Sequence, residues 1–245
     1  MDNRASIEGP TQPMLPTYEK ASVFEDFIDI FYAPANVFAR RAASGYGMQL
    51  FIVSVLAALF AFATRGITSQ IFDVEFQRGA AKAIAANPRI TLDQMNSMRG
   101  VQEKMVMVGG YIFTPIGVFL MAFFTWLAAK AVSAKITYQQ AALIVTLAWI
   151  PRLVGALVMT VQGLLMDTST ITSMFSVMWS PARFMDAETV SPKVLGLVGN
   201  LEVFSIWYTI LVGIGIAVIG KVPRSQGYTA AAIVFVLMSL PALLR

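Results

Sequence analysis

Five stretches of the chain are too apolar and too long to face water, and shorter polar or basic connections separate them. The first covers 48–64, MQLFIVSVLAALFAFAT, and at about 1.5 Å per residue it reaches roughly 26 Å, near the lower limit for bilayer hydrocarbon. The others fall at about 105–129, 139–165, 201–220 and 228–244. Gly109, Gly110, Pro115 and Gly117 interrupt the second of these, and Pro151 with Arg152 the third. Such breakers are tolerated within a span when neighbouring helices satisfy the carbonyls they free. The pattern predicts an all-α, polytopic membrane protein built as a five-helix transmembrane bundle.

The connections carry helix signals of their own. Residues 1–21, with Pro10, Pro13 and Pro16, lack apolar periodicity and are expected to form a disordered cytosolic tail ahead of a membrane domain covering 22–245. Ser22 with Glu25 is a capping-box pair. Phe24, Phe27, Ile28 and Phe31 then recur at helical spacing around Asp26 and Asp29, which predicts a short amphipathic helix along the membrane surface. Pro34 suits the first turn of a second short helix ending at Arg40 and Arg41. The polar stretch after the first span reads as a helical hairpin turning at Asn87-Pro88, with a new cap at Thr91 and Gln94. Thr137 and Gln140 cap the third span, and Ser191-Pro192 starts a helix inside the long loop at about 166–198.

Composition narrows the chemistry. Hydrophobic residues make up 57% and charged ones only 13%, whereas a soluble surface needs roughly 25% charged residues. There is no cysteine and no histidine, which closes off disulfides, thiolate nucleophiles, imidazole bases and the usual soft-metal sites. No metal or cofactor is expected. The net charge of +4 fits basic loops on a membrane protein, and no basic cluster with interleaved aromatics points to nucleic acid. No secretory signal peptide is visible ahead of Met48. Arg40, Arg41, Lys130, Lys135, Lys221 and Arg224 share one side of a five-span topology. By the positive-inside rule that side is cytosolic, with the N-terminus inside and the C-terminus outside. The connection between spans one and two is also net basic, but its length reduces its weight.

Family likeness enters at the fourth span. Leu201-Glu202-Val203-Phe204-Ser205-Ile206-Trp207, running into Gly213-Ile214-Gly215, a short basic turn and a last span, resembles the Yip family of Ypt/Rab-interacting membrane proteins. Phe31-Tyr32-Ala33-Pro34 with Val37-Phe38 and Trp149-Ile150-Pro151 add to the likeness, which covers about Phe24 to Leu244 and is closest to the prokaryotic branch. The resemblance implies a five-span bundle, a cytosolic N-terminus, no known catalytic activity and, for a prokaryotic-type member, residence in the cytoplasmic (inner) membrane. Eukaryotic relatives act as adaptors in vesicle traffic, binding prenylated small GTPases and one another. This chain lacks an Asp-Leu-Tyr-Gly-Pro-like motif ahead of its spans, so GTPase binding is not carried over to it.

Two ionisable residues inside spans are the candidate site. Arg152 falls near the middle of the third span, where a cation costs a few kcal/mol and calls for a partner. Glu202 is the only acidic residue in any span, and a buried ion pair between the two is the expectation. The alternative makes Arg152 a site for an anionic or lipid-like substrate, with Glu202 as a gate. No catalytic residue is identified: Asp167 and Asp186 lie in a loop, and neither Ser205 nor Ser239 has a recognisable base. Gly213, Gly215 and Gly220 read as packing glycines, not a phosphate loop. Trp126, Trp179, Trp207, Tyr46 and Tyr228 read chiefly as an interfacial belt. Two functions follow: a non-catalytic scaffold or adaptor that organises membrane and binds other membrane proteins or itself, or a small transporter or channel component. A charge-lined crevice reaching Arg152 favours the transporter, and a closely packed bundle with a lipid-exposed apolar groove favours the scaffold.

Overall fold

The computed structural model describes residues 22–87, 89–167 and 170–244, with the side chains of 102–104, 106–108, 110, 111 and 113 set aside. The tail expected at 1–21 lies outside the described residues. Among those described there is no strand. The helices are α1 (Val23–Asp29), α2 (Pro34–Arg41), α3 (Gly47–Ala63), α4 (Arg65–Ala86), α5 (Leu92–Ala131), α6 (Tyr138–Ala148), α7 (Ile150–Leu165), α8 (Pro192–Gly199), α9 (Val203–Gly220) and α10 (Arg224–Ser239).

Local chemistry sets most of the starts. The Ser22, Thr91 and Thr137 hydroxyls each accept the backbone N–H three residues on, while the Glu25, Gln94 and Gln140 side chains accept the N–H of the cap residue in return. Each pair satisfies two amides that the first turn of a helix leaves open. Pro34 and Pro192 occupy first-turn positions, where a missing N–H costs nothing.

Four helical segments are long and apolar enough to cross a membrane: Thr114–Ala131 within α5, Tyr138–Leu165 across α6 and α7, α9, and Arg224–Leu243. Counting α3 and α4 together as one span bent by 72° brings the number to five. Three details differ from the sequence reading. Pro115 leaves α5 unbroken, and that helix begins at Leu92, so the polar hairpin and the second span share one 40-residue element. The Pro151 break is mild: Trp149 between α6 and α7 keeps φ −70° and ψ −22°, close to helical values. Leu201 and Glu202 precede α9 instead of lying inside it, because the Glu202 side chain caps that helix.

The core gathers around α6, whose residues from Ala141 to Ala148 are all buried, and around Phe38, Tyr208, Leu211 and Ile216. Close helix approach depends on glycine. A β-carbon on Gly227 would overlap the Gly213 carbonyl oxygen, so α9 and α10 meet backbone to backbone. A β-carbon on Gly215 would come within 2.7 Å of Ile144 and 3.2 Å of Phe38. That glycine therefore lets α2 and α6 share one side of α9.

The loop at 166–200 is structured. Short 3₁₀ turns at Met174–Val177 and Pro181–Phe184 lead into α8, and Phe175, Ala182, Ala187 and Leu195 form a second, smaller core. Side chains of α4 hold this cap: Glu75 accepts the Met174 N–H at 2.6 Å, and Lys82 donates to the Ala187 carbonyl at 3.1 Å. Asp73 on α4 pairs with Arg99 on α5 at 2.6 Å.

Candidate functional site

Arg152 enters the bundle on the first turn of α7, beside buried Pro151. Its guanidinium carbon lies 4.5 Å from the centre of the Tyr208 ring and 5.1 Å from that of Trp149. The two rings stand edge to face at 88°, their centroids 6.1 Å apart. The cation thus sits in an aromatic corner, where ring quadrupoles offset part of its lost hydration. Its Nε is buried without a hydrogen-bond partner, as is the Tyr208 hydroxyl. One turn along α7, Gly155 receives the Phe204 ring; a β-carbon there would fall 2.7 Å from it. That contact fixes the α7–α9 crossing beside Arg152.

Glu202 is 7% exposed and is spent on the backbone. One carboxylate oxygen accepts the Phe204 N–H at 3.0 Å and the other the Ser205 N–H at 2.8 Å. A carboxylate at a helix N-terminus satisfies orphan amides and complements the helix dipole. Among the described residues no carboxylate makes salt-bridge contact with Arg152. Glu202 instead acts on the guanidinium only through space, as Tyr208 also does. The carboxylate faces a choice between one cation and two amide dipoles, and the amides are the nearer partners.

The other residues singled out in the sequence all sit at helix contacts. Pro34 opens α2; Trp207 meets Phe31 edge to face at 5.6 Å; Gly213 lies under the Tyr228 ring; and Gly215 lies under Ile144 and Phe38. These positions make α9 the element on which α2, α6, α7 and α10 converge.

Sequence reasoning missed a second charged cluster. Asp26 has no exposure, and it takes Arg40 on one oxygen at 2.6 Å and Arg41 on the other at 2.6 Å. Arg40 also reaches Asp29 at 2.6 Å, and the Tyr32 hydroxyl donates to the same carboxylate. The hydrogen bonds from Tyr32 and then Arg40 hold the Asp29 carboxyl below its ordinary range, and the bond to Asp29 raises the Tyr32 phenol. Burial works against the Arg40 charge, but its bonds to Asp29 and Asp26 outweigh that and raise its pKa. The available signal was the spacing: acids one turn apart on α1, basic residues at the end of α2, and a tight Tyr32-Ala33-Pro34 link that folds one helix back on the other. As a result α1 turns its acidic side inward, leaving Phe24 and Ile28 exposed. The inward side of α1 is thus mixed, with Asp26 and Ile30 fully buried and Phe27 and Phe31 packed against the core.

Among the described residues, three of the surface depressions stand out. One of about 360 Å³ lies between the start of α2 and the α9–α10 hairpin, and one of about 190 Å³ lies under Glu75, Arg78 and Lys82. The third, about 330 Å³, is an apolar groove between α8 and the end of α10, including Leu197, Leu201, Phe235 and Leu243. Neither Arg152 nor Glu202 lines any of them. Among the described residues no group of acidic side chains is arranged to hold a metal ion.

An all-helical bundle of four or five candidate spans defines a polytopic integral membrane protein. The chain belongs to the Yip1 domain family, whose domain matches residues 28–244. It is similar to the membrane protein YknW of Bacillus subtilis (strain 168), with 24% identity over 146 residues, 60% of this chain and 60% of that protein. The chain therefore spans less than two thirds of the length of the curated relative it matches. No solved structure matches it.

Proposed function

We propose that this protein is a non-catalytic membrane scaffold or adaptor that organises its bilayer and binds other membrane proteins or copies of itself. The observation that carries the reading is the state of Arg152: its guanidinium is closed in by Trp149 and Tyr208, and none of the grooves described reaches it. A transport site needs a polar path to its charge, whereas an aromatic corner is a clamp between α7 and α9. Glu202 completes that clamp by fixing the start of α9 and by its field at the guanidinium. The exposed apolar groove between α8 and α10 offers a second transmembrane helix a place to pack.

The same reading has α3 with α4 as the bent first span, the basic turns around Lys130 and Lys221 in the cytosol, and the C-terminus outside a cytoplasmic membrane. The natural absence of cysteine makes this directly measurable, since single cysteines at Lys135 and Lys82 can be labelled from either side without background.

The deciding experiment purifies the full chain in mild detergent, identifies membrane proteins that accompany it, and repeats the binding with the identified protein pure. Saturable binding supports the adaptor. Solute flux into liposomes containing this protein alone, abolished by Arg152→Gln, overturns it in favour of a transporter for an anionic substrate.

A further inference from the structure

The depression between α2 and the α9–α10 hairpin is left open where these helices meet. Its floor is apolar, formed by Pro34, Ile214, Ala217 and Val218, and its rim carries Asn36, Tyr228 and Arg224. It lies where α9 ends at Gly220 and α10 begins at Arg224, the level at which the chain leaves the apolar segment and turns back. At about 360 Å³ it falls within the roughly 300–1,000 Å³ typical of small-ligand pockets.

Charge decides what suits it. Arg224 has neither an ion pair nor a side-chain hydrogen bond among the described residues, while Arg40 nearby on α2 has two carboxylates. No carboxylate lines the depression. Asp29, the acid closest to its rim through the Tyr32 hydroxyl, is already bound to Arg40. The start of α2 opens on the same space with no side-chain cap, which adds the positive end of a helix dipole. An apolar floor beneath a net positive, carboxylate-free rim is complementary to an amphiphile with a negative head.

We propose that this depression binds the phosphate headgroup of an anionic phospholipid, with Arg224 as its charged contact and the apolar floor beneath the glycerol and first acyl carbons. A zwitterionic headgroup is disfavoured because its cationic end meets Arg224 and finds no acid to pair with. The assignment is independent of the scaffold reading: a transporter with this depression would bind the same lipid.

The test uses the full chain in neutral detergent, titrated with phosphatidylglycerol, with phosphatidylcholine and with inorganic phosphate, read by native mass spectrometry and by thermal unfolding. Phosphatidylglycerol should bind about ten-fold tighter than phosphatidylcholine, as expected when a charge-assisted contact is gained. Arg224→Gln should reduce that ratio to about two-fold or less, while Lys135→Gln, an exposed cation at the same end of the bundle, should leave it unchanged. Should Arg224→Gln fail to fold, Ala35→Phe carries the arm: it fills the depression without altering a charge and should also abolish the preference. Equal binding of the two lipids, equal effects of Arg224→Gln and Lys135→Gln, or binding of inorganic phosphate as tight as the lipid's would each overturn the proposal.

Discussion

Asp26 and Arg152 are both charges withdrawn from water, but they are neutralised in different ways. Asp26 stands at the base of the α1–α2 hairpin and has a guanidinium on each oxygen, so its charge is answered by opposite charge at short range. Arg152 stands on the first turn of α7 and has aromatic faces, an unpartnered Nε and a carboxylate held at a distance by backbone amides. The first arrangement ties α1 to α2, whose Val37 and Phe38 are themselves buried in the core. The second is part of a crossing already fixed by Phe204 on Gly155. Opposite charge thus answers the one and ring faces the other, although both sites lie against the same core.

The largest test of that contrast is Asp26→Ala, which takes from Arg40 and Arg41 the carboxylate they share and leaves Arg40 with Asp29 alone. Breaking a buried pair by removing one partner costs about 3–5 kcal/mol, and the loss should appear in denaturant unfolding in micelles together with early protease cleavage between Val23 and Arg41. A loss below about 1 kcal/mol would mean that water reaches the cluster.

Arg152→Gln should cost less, about 1–2 kcal/mol, since a desolvated cation–π contact contributes about 2 kcal/mol and removing an unpartnered cation recovers part of it. Trp fluorescence should shift, as Trp149 loses its neighbour. A loss as large as that of Asp26→Ala would show that Arg152 has a full counter-ion after all.

Glu202→Ala removes a cap and should cost about 1 kcal/mol. Exchanging the charges, Arg152→Glu with Glu202→Arg, should not restore stability, because an arginine accepts no amide hydrogen. Rescue by the exchange would instead establish a direct pair.

The smallest effect concerns acid. Asp29 is held below its ordinary 3.8, so its contribution to the hairpin is complete above that value and disappears as pH falls through the lowered one. The protection of α1 amides, taken relative to their intrinsic exchange at each pH, should be constant between about pH 8 and 5 and should fall only below about pH 4. Asp29→Asn should abolish this acid limb.

Much of the fold was legible because its signals are local. The capping pairs at Ser22, Thr91 and Thr137 and the prolines at 34 and 192 act within a turn, and each marks a helix start. The apolar segments are equally plain, since they answer to a solvent and not to a particular neighbour. What the sequence hid depends on who stands next to whom. Pro115 was read as a breaker, yet α5 passes through it. Glu202 was placed inside a span, but its side chain had closer amides to bind. The inward turn of Asp26 was invisible because helical periodicity shows two faces without telling which one is covered. In lipid, the exposed face can be the apolar one.

The length of α5 has a consequence beyond packing. Forty residues extend about 60 Å, twice the hydrocarbon of a bilayer, so the stretch from Leu92 to about Phe113 continues the helix beyond the candidate span Thr114–Ala131, away from Lys130. Asp73 and Arg99 strap it to α4, so it does not extend alone. A push on the Leu92 end of that helix therefore reaches its candidate span without passing through a joint.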